Sequence, residues 1–233
     1  MKPFQFKQFS VYQDKTAMKI STDAVLLGSW AEVSSSISIL DIGTGTGIIS
    51  LMLAQRTDKA LITAIEIEEN AFQQAKSNFK NSKWASRIHI NHISLQNFNT
   101  SKKFDTIISN PPFFDNNHFS TDHKRTIARH TSSLSYLDLI KKTIKLLTIT
   151  GYFHIIIPYN VEQEFKLIAL NHNLYPTSIL RIRGNKISPI KRSLITFSFL
   201  QNKCSVKELI IEKERHNYTE EYINLTKDFY LKM

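Results

Sequence analysis

Cysteine is nearly absent from this chain, with Cys204 the single one in 233 residues. One thiol excludes an internal disulfide framework and a cysteine-built metal site. Glycine and proline are sparse too, six of each, and no internal repeat or low-complexity stretch appears. No run of 18 apolar residues occurs, so no membrane-spanning helix is expected. The start, Met1-Lys2-Pro3-Phe4-Gln5-Phe6-Lys7, lacks the apolar centre of a signal peptide, and the chain reads as cytoplasmic. The eight histidines show no H-x-x-x-H or H-E-x-x-H pattern. His89 and His92, three apart on an expected strand, point to opposite faces, so no metal site is expected.

Acidic residues are also short, 20 against 30 basic, for a net charge of +10. That excess favours a polyanionic partner, most of all nucleic acid, unless it is diffuse and serves only solubility. Some of it is clustered: Lys102-Lys103, Lys124-Arg125 with Arg129-His130, Lys141-Lys142 with Lys145, and Arg181, Arg183, Lys186, Lys191 and Arg192. With 42% hydrophobic residues, the chain suits one globular domain.

What is present is an alternation of strand and helix patterns. Residues 4–12 alternate aromatic and polar, as a short strand or extended arm would. Ser21 or Thr22 can cap a helix over Ala24–Trp30, where Asp23 either complements the helix dipole or serves a ligand. Strands are expected at Ser38–Ile42, Ala60–Glu66, Arg87–His92, Phe104–Ser109 and Gly151–Pro158. Between them Ile48–Gln55, Glu68–Phe79 and Leu134–Leu147 read as helices, with Val161–Leu170 after them. Tyr175–Arg183 and Leu194–Leu200 are joined by a segment too short for a crossover helix, so that pair should be antiparallel. Leu209-Ile210-Ile211 has the look of an edge strand, and Thr219–Met233 of a terminal helix. The expected fold class is therefore α/β: a mostly parallel, seven-stranded sheet with one antiparallel strand and helices on both faces.

Two stretches carry chemistry. Three of the six glycines, Gly43, Gly45 and Gly47, fall within five residues between a strand and a helix. Such a loop lets backbone approach a ligand closely beside free helix N–H groups. Its pattern is D-x-G-x-G-x-G, not the G-x-G-x-x-G of dinucleotide binders. Asp41 in front of it would repel a pyrophosphate and suits a ligand with a cationic amine, such as S-adenosylmethionine. Glu66 ends the next strand 19 positions after Gly47, where a carboxylate can accept ribose hydroxyls. The second stretch is Asn110-Pro111-Pro112-Phe113. Its prolines stop a strand and stiffen the turn. That turn would hold an amide, a carbonyl and a ring at a strand's C-terminal end, a set able to grip a planar molecule carrying an amino group. The polar, partly basic connection 114–133 that follows is long enough for a lid or binding segment.

Together, Asp41–Gly47, Glu66 and Asn110–Phe113 resemble the class I S-adenosylmethionine-dependent methyltransferases that act on amino groups. Met18–Trp30 and the ending Asp228-Phe229-Tyr230-Leu231-Lys232-Met233 resemble the tRNA1(Val) (adenine(37)-N6)-methyltransferase family, and the likeness runs nearly end to end. The resemblance implies a single Rossmann-like methyltransferase domain: an N-terminal segment 1–36 covering the cofactor, a core 37–203 and a C-terminal appendage 204–233. It implies that Asp41, Gly43, Gly45 and Gly47 bind the methionine part of S-adenosylmethionine and that Glu66 binds its ribose. Asn110 and the Pro111 carbonyl would hold the target amine, and Phe113 would stack on the base. The family's acid after the third strand is replaced here by Ser94, with the Leu95 backbone as a further contact. The implied substrate is tRNA. A guanine-N2 methyltransferase of ribosomal RNA, a protein glutamine methyltransferase and an idle RNA-binding module stand as alternatives.

Overall fold

Alternation along the strands divides the core in two. The structure is a computed structural model that describes residues 2–112 and 134–233. In strand β3 (Ser38–Ile42), Ile39 joins one apolar cluster while Leu40 and Ile42 join the other. In β7 (Leu147–Pro158), Phe153, Ile155 and Ile157 take one side and Ile156 the opposite one. Period-two alternation with both sets buried is the mark of a sheet covered on both faces. Helices α1 (Thr22–Trp30), α2 (Ile48–Arg56), α3 (Glu69–Lys80) and α6 (Glu220–Thr226) contribute to the first cluster. Helices α4 (Tyr136–Leu146) and α5 (Glu162–Leu170) contribute to the second. There Phe153, Phe165 and Phe197 are fully buried with centroids 5.7–6.5 Å apart; burying each stabilises by about 2–3 kcal/mol.

The remaining strands of the main sheet are β4 (Leu61–Glu66), β5 (Ile88–His92), β6 (Phe104–Ser109), β8 (Tyr175–Arg183), β9 (Ile190–Ser198) and β10 (Ser205–Ile210). The order is β10-β8-β9-β7-β6-β3-β4-β5. Only β9 runs against its neighbours in this sheet, pairing antiparallel with both β7 and β8. The sheet has eight strands where the sequence led us to expect seven. The edge strand seen at Leu209–Ile211 begins earlier and lies parallel to β8, from Ser205↔Ser178 to Ile210↔Arg183.

The helix starts follow their capping residues. Ser21 accepts from Ala24 N, Ser135 from Asp138 N, Thr219 from Tyr222 N, and Glu68 from Asn70 N and Ala71 N; each cap satisfies backbone donors the helix cannot. The C-terminal helix is shorter than expected and stops at Thr226. Beyond it the chain turns to meet the N-terminal arm, formed by the small hairpin β1 (Phe4–Gln5) and β2 (Ser10–Val11). Lys7 N donates to Phe229 O at 2.8 Å, Phe6 bridges to Tyr230, and the Phe6 and Tyr230 rings stack at 5.9 Å. A second hairpin, β11 (Glu212–Glu214) with β12 (Asn217–Tyr218), precedes α6. Among the described residues no helix is long and apolar enough to cross a membrane.

Candidate active site

The C-terminal ends of β3, β4 and β6, with the segment after β5, surround a cavity of about 410 Å³. Its wall includes Gly43 and Gly45 after β3, Glu66–Glu68 at β4, Ile93–Gln96 after β5, and Asn110 and Pro112 after β6. Thr16, Ala17 and Met18 close it from the N-terminal side. Ligands of open α/β sheets bind at this edge. A second depression of about 440 Å³ lies at the N-terminal ends of β6 and β7, between residues 98–101 and the end of α4, and contains none of the candidate residues.

Asp41, on β3, is fully buried. Its Oδ2 accepts from Thr44 Oγ at 2.6 Å and from Ser50 Oγ at 2.7 Å. These bonds tie the loop to the first turns of α2. Burial pushes the Asp41 carboxyl up to about 6, and Glu66 pushes the same way, while the two hydroxyls oppose the shift. Asp41 is not on the cavity wall and supports the loop from behind it. Its Oδ1 is buried and has no hydrogen-bond partner among the described residues.

The three glycines divide into two kinds. Gly43 and Gly45 have φ of +70° and +58°, and a Cβ built on either would meet no atom within 4 Å. They line the cavity, so side chains there would fill space a ligand can use. Gly47 has φ of +84°, and its Cβ would stand 2.4 Å from Phe79 Cε1. It is absent from the wall; it is glycine because α3 presses an aromatic ring against the start of α2.

Glu66 lines the cavity with a carboxylate held by three backbone donors. Oε2 accepts from Gly45 N at 2.9 Å, and Oε1 from Ile67 N at 2.8 Å and Glu68 N at 2.9 Å. A carboxylate offers about four acceptor positions, so one is left, on Oε2. Ser94 and Leu95 line the cavity as well, and Ser94 Oγ accepts from Asn97 N at 3.3 Å. Around them Ile42, Ile65, Ile67, Ala71 and Ile93 form apolar walls suited to a flat ring.

Asn110 lines the cavity, half-buried; Pro111 is buried and Pro112 exposed. Phe113 and the connection 114–133 lie outside the described residues. Asp23 is not brought to the cavity. It accepts from Arg192 Nε at 2.8 Å and so joins the start of α1 to β9.

The N-terminal wall is a part of the site that the motifs did not reveal in residue detail. Buried Asn78, on α3, accepts from Tyr12 N at 3.0 Å and donates to Tyr12 O and Thr46 O, each at 2.8 Å. Gln74 accepts from Lys15 N at 3.1 Å. Lys19 Nζ donates to Thr16 O at 3.1 Å, and Gln13 Oε1 accepts from Ile20 N at 2.8 Å. Residues 12–20 thus form a strap fastened to α3 and to the glycine loop. An amide side chain offers two donors and an acceptor, which matches the three bonds of Asn78, and that requirement gives no recognisable sequence spacing.

Residues 19–172 match the model of the methyltransferase small domain family. A tRNA1(Val) (adenine(37)-N6)-methyltransferase of Christiangramia forsetii is 48% identical over 99% of this chain and 98% of its own. One from Flavobacterium psychrophilum is 47% identical over 99% and 100%. Among solved structures, a predicted O-methyltransferase from Agrobacterium tumefaciens superposes with a TM-score of 0.69 at 19% identity, over 89% of this chain and 96% of that one. That likeness concerns the fold.

Proposed function

The chain belongs to the tRNA1(Val) (adenine(37)-N6)-methyltransferase family, and from that premise we propose how its residues transfer a methyl group from S-adenosylmethionine to the N6 amine of adenine 37 in valine tRNA. The observation that carries the reading is the convergence of Gly43, Gly45, Glu66 and Asn110 on one cavity. The residues fit the cofactor: two side-chain-free positions, a carboxylate for hydroxyls and apolar walls for the adenine.

S-adenosylmethionine supplies, when bound, a methyl group on a sulfonium leaving group. Gly43 and Gly45 would let the loop backbone approach it closely, with Asp41 holding that loop in shape. Glu66 offers its free Oε2 position to a ribose hydroxyl. Ser94 Oγ and the Leu95 backbone would hold the cofactor's adenine, where a hydroxyl accepts more weakly than an acid. Thr16–Met18 cover the site and exclude water. Gly47 and Asp23 act on the scaffold, through Phe79 and Arg192 respectively.

The target amine is a poor nucleophile because its lone pair is delocalised into the ring. Asn110 Oδ1 and the Pro111 carbonyl would accept its two hydrogens, favouring a pyramidal nitrogen with its lone pair aimed at the methyl. The protein then contributes position and electrostatics, and the proton leaves after transfer without a dedicated base. The base must leave its stack to reach the cavity, and Phe113 is proposed to replace the lost stacking. Labelled cofactor incubated separately with unmodified tRNA, ribosomal RNA and a protein release factor tests the reading. Label in tRNA at N6 of adenine 37 supports it; label only in another substrate contradicts it.

A further inference from the structure

The turn between β8 and β9 holds the most exposed large apolar side chain among the described residues, Ile187, at 93% exposure. It is a built turn. Asn185 Oδ1 accepts from Ile187 N at 3.1 Å, from Ser188 N at 2.8 Å and from Ser188 Oγ at 2.7 Å. Arg183 Nη1 donates to Ser188 O at 2.8 Å while its Nε is held by Glu208. A single exposed isoleucine is ordinary on a protein surface; this one gains meaning from the fixed turn that carries it and from what stands beside it.

Its place in the fold is specific. Ser109, Ile155, Ile195 and Ile179 lie in one row across β6, β7, β9 and β8. β8 runs the same way as β6, because each of β7 and β8 is antiparallel to β9. It continues past that row for four residues, Leu180–Arg183, or about 13 Å at about 3.3 Å per residue. Three strand spacings, about 14 Å, separate it sideways from β6. The turn therefore lies at the same end of the sheet as Asn110 and the cavity, three strands to the side of β6 and rotated from it by the sheet twist. Arg192, at its base, is tied by Asp23 to the start of α1, five residues after cavity-lining Met18.

The cations here are of two kinds. Arg181, Arg183 and Arg192 are committed to Glu162, Glu208 and Asp23. Lys186 and Lys191 flank the turn, exposed, and take part in none of the ion pairs among the described residues. An apolar side chain between free lysines, on a protein of net charge +10, matches a nucleic acid: bases offer apolar faces and phosphates flank them. We propose that this turn is an RNA-contacting wedge, with Ile187 against an exposed base of the tRNA and Lys186 and Lys191 on phosphates beside it. The inference rests on the tRNA reading above and adds the surface that seats the RNA.

The test uses the full chain with Ile187→Ala, Ile187→Asp and Lys186→Gln/Lys191→Gln, all exposed positions outside the cavity. Cofactor Kd is measured by calorimetry, tRNA KM and kcat by label transfer, and tRNA Kd by filter binding across a salt series. Ile187→Ala should raise tRNA KM by about 3- to 10-fold, the apolar burial an aliphatic wedge side chain gives up; Ile187→Asp should raise it further. The double lysine variant should reduce the slope of log Kd against log salt by about 1 to 2. Cofactor Kd and kcat at saturating tRNA should stay within about 2-fold of wild type. Unchanged KM and salt slope would overturn the wedge while leaving the tRNA reading intact. Binding to anionic phospholipid vesicles that Ile187→Asp abolishes, with tRNA KM unchanged, would also overturn it, by assigning the turn to a lipid surface. Wild-type protein that transfers no label to tRNA would overturn the reading on which it rests.

Discussion

Gly45 donates its backbone N–H to the Glu66 carboxylate at 2.9 Å, so the glycine loop and the acid after β4 hold one another in place. Glu66 is thereby both a wall of the cavity and a brace for the loop opposite. Glu66→Gln substitutes a donor for one acceptor oxygen and sets an NH2 against at least one backbone N–H. Unpaired donors of this kind cost about 1–3 kcal/mol each. Cofactor Kd should rise about 30-fold or more by calorimetry, with a loss of about 2 kcal/mol in urea unfolding. An unchanged Kd would remove Glu66 from the cofactor site.

Asn78 makes three bonds that fasten the strap to the loop and α3. Asn78→Ala leaves the buried Thr46 carbonyl and the part-buried Tyr12 backbone groups without their partner, at about 1–3 kcal/mol in total. Protease cleavage within 12–20 should accelerate, and cofactor Kd should rise about 10-fold. Added cofactor should slow the cleavage, because it binds only the closed strap.

Gly45 and Gly47 should rank in opposite orders for stability and for cofactor binding. Gly47→Ala drives Cβ into the Phe79 ring at 2.4 Å with φ at +84°, and stability should fall by about 2–4 kcal/mol. Phe79→Leu in the same chain should restore part of it. Gly45→Ala, whose Cβ meets open space, should cost only about 1–2 kcal/mol, yet weaken cofactor binding more than Gly47→Ala does. The comparison requires thermal unfolding and calorimetry on both variants.

Asp41 predicts a pH effect of definite sign. Its folded carboxyl is raised from 3.8 to about 6, chiefly by burial. The folded state therefore binds the proton more tightly, and stability falls as pH rises from about 4 to about 6, by on the order of 3 kcal/mol. His154 acts the other way: burial lowers it from 6.5 to about 4, so its contribution is full above 6.5 and is lost as pH falls toward 4. In wild type the two slopes largely cancel. Asp41→Asn removes one of them, so urea-derived stability should rise more steeply between pH 4 and pH 6.5 in the variant than in wild type.

Much of this was legible in the residues. Strand and helix order, the single antiparallel strand, and the placing of Gly43, Gly45, Glu66 and Asn110 at strand C-terminal ends follow from period, punctuation and spacing, while Ser94 came only from the family resemblance. Other features depend on contacts between distant segments. Gly47 looks like its neighbours in sequence and differs only because Phe79, 32 positions on, reaches it. Asp23 in a helix first turn is ambiguous until Arg192 arrives from β9. Helix α6 stops early because an arm more than 200 residues upstream claims Phe229 and Tyr230. The arginines and lysines near 181–192 form one basic cluster in sequence, and the fold alone shows which are already paired.

The most direct test of the account is single-turnover methyl transfer to tRNA at saturating cofactor, comparing wild type with Asn110→Ala. The account predicts a rate lower by about 10²–10³, label at N6 of adenine in wild type, and a cofactor Kd within about 3-fold between the two. A variant that transfers methyl at the wild-type rate would contradict the role of Asn110 as holder of the reacting amine.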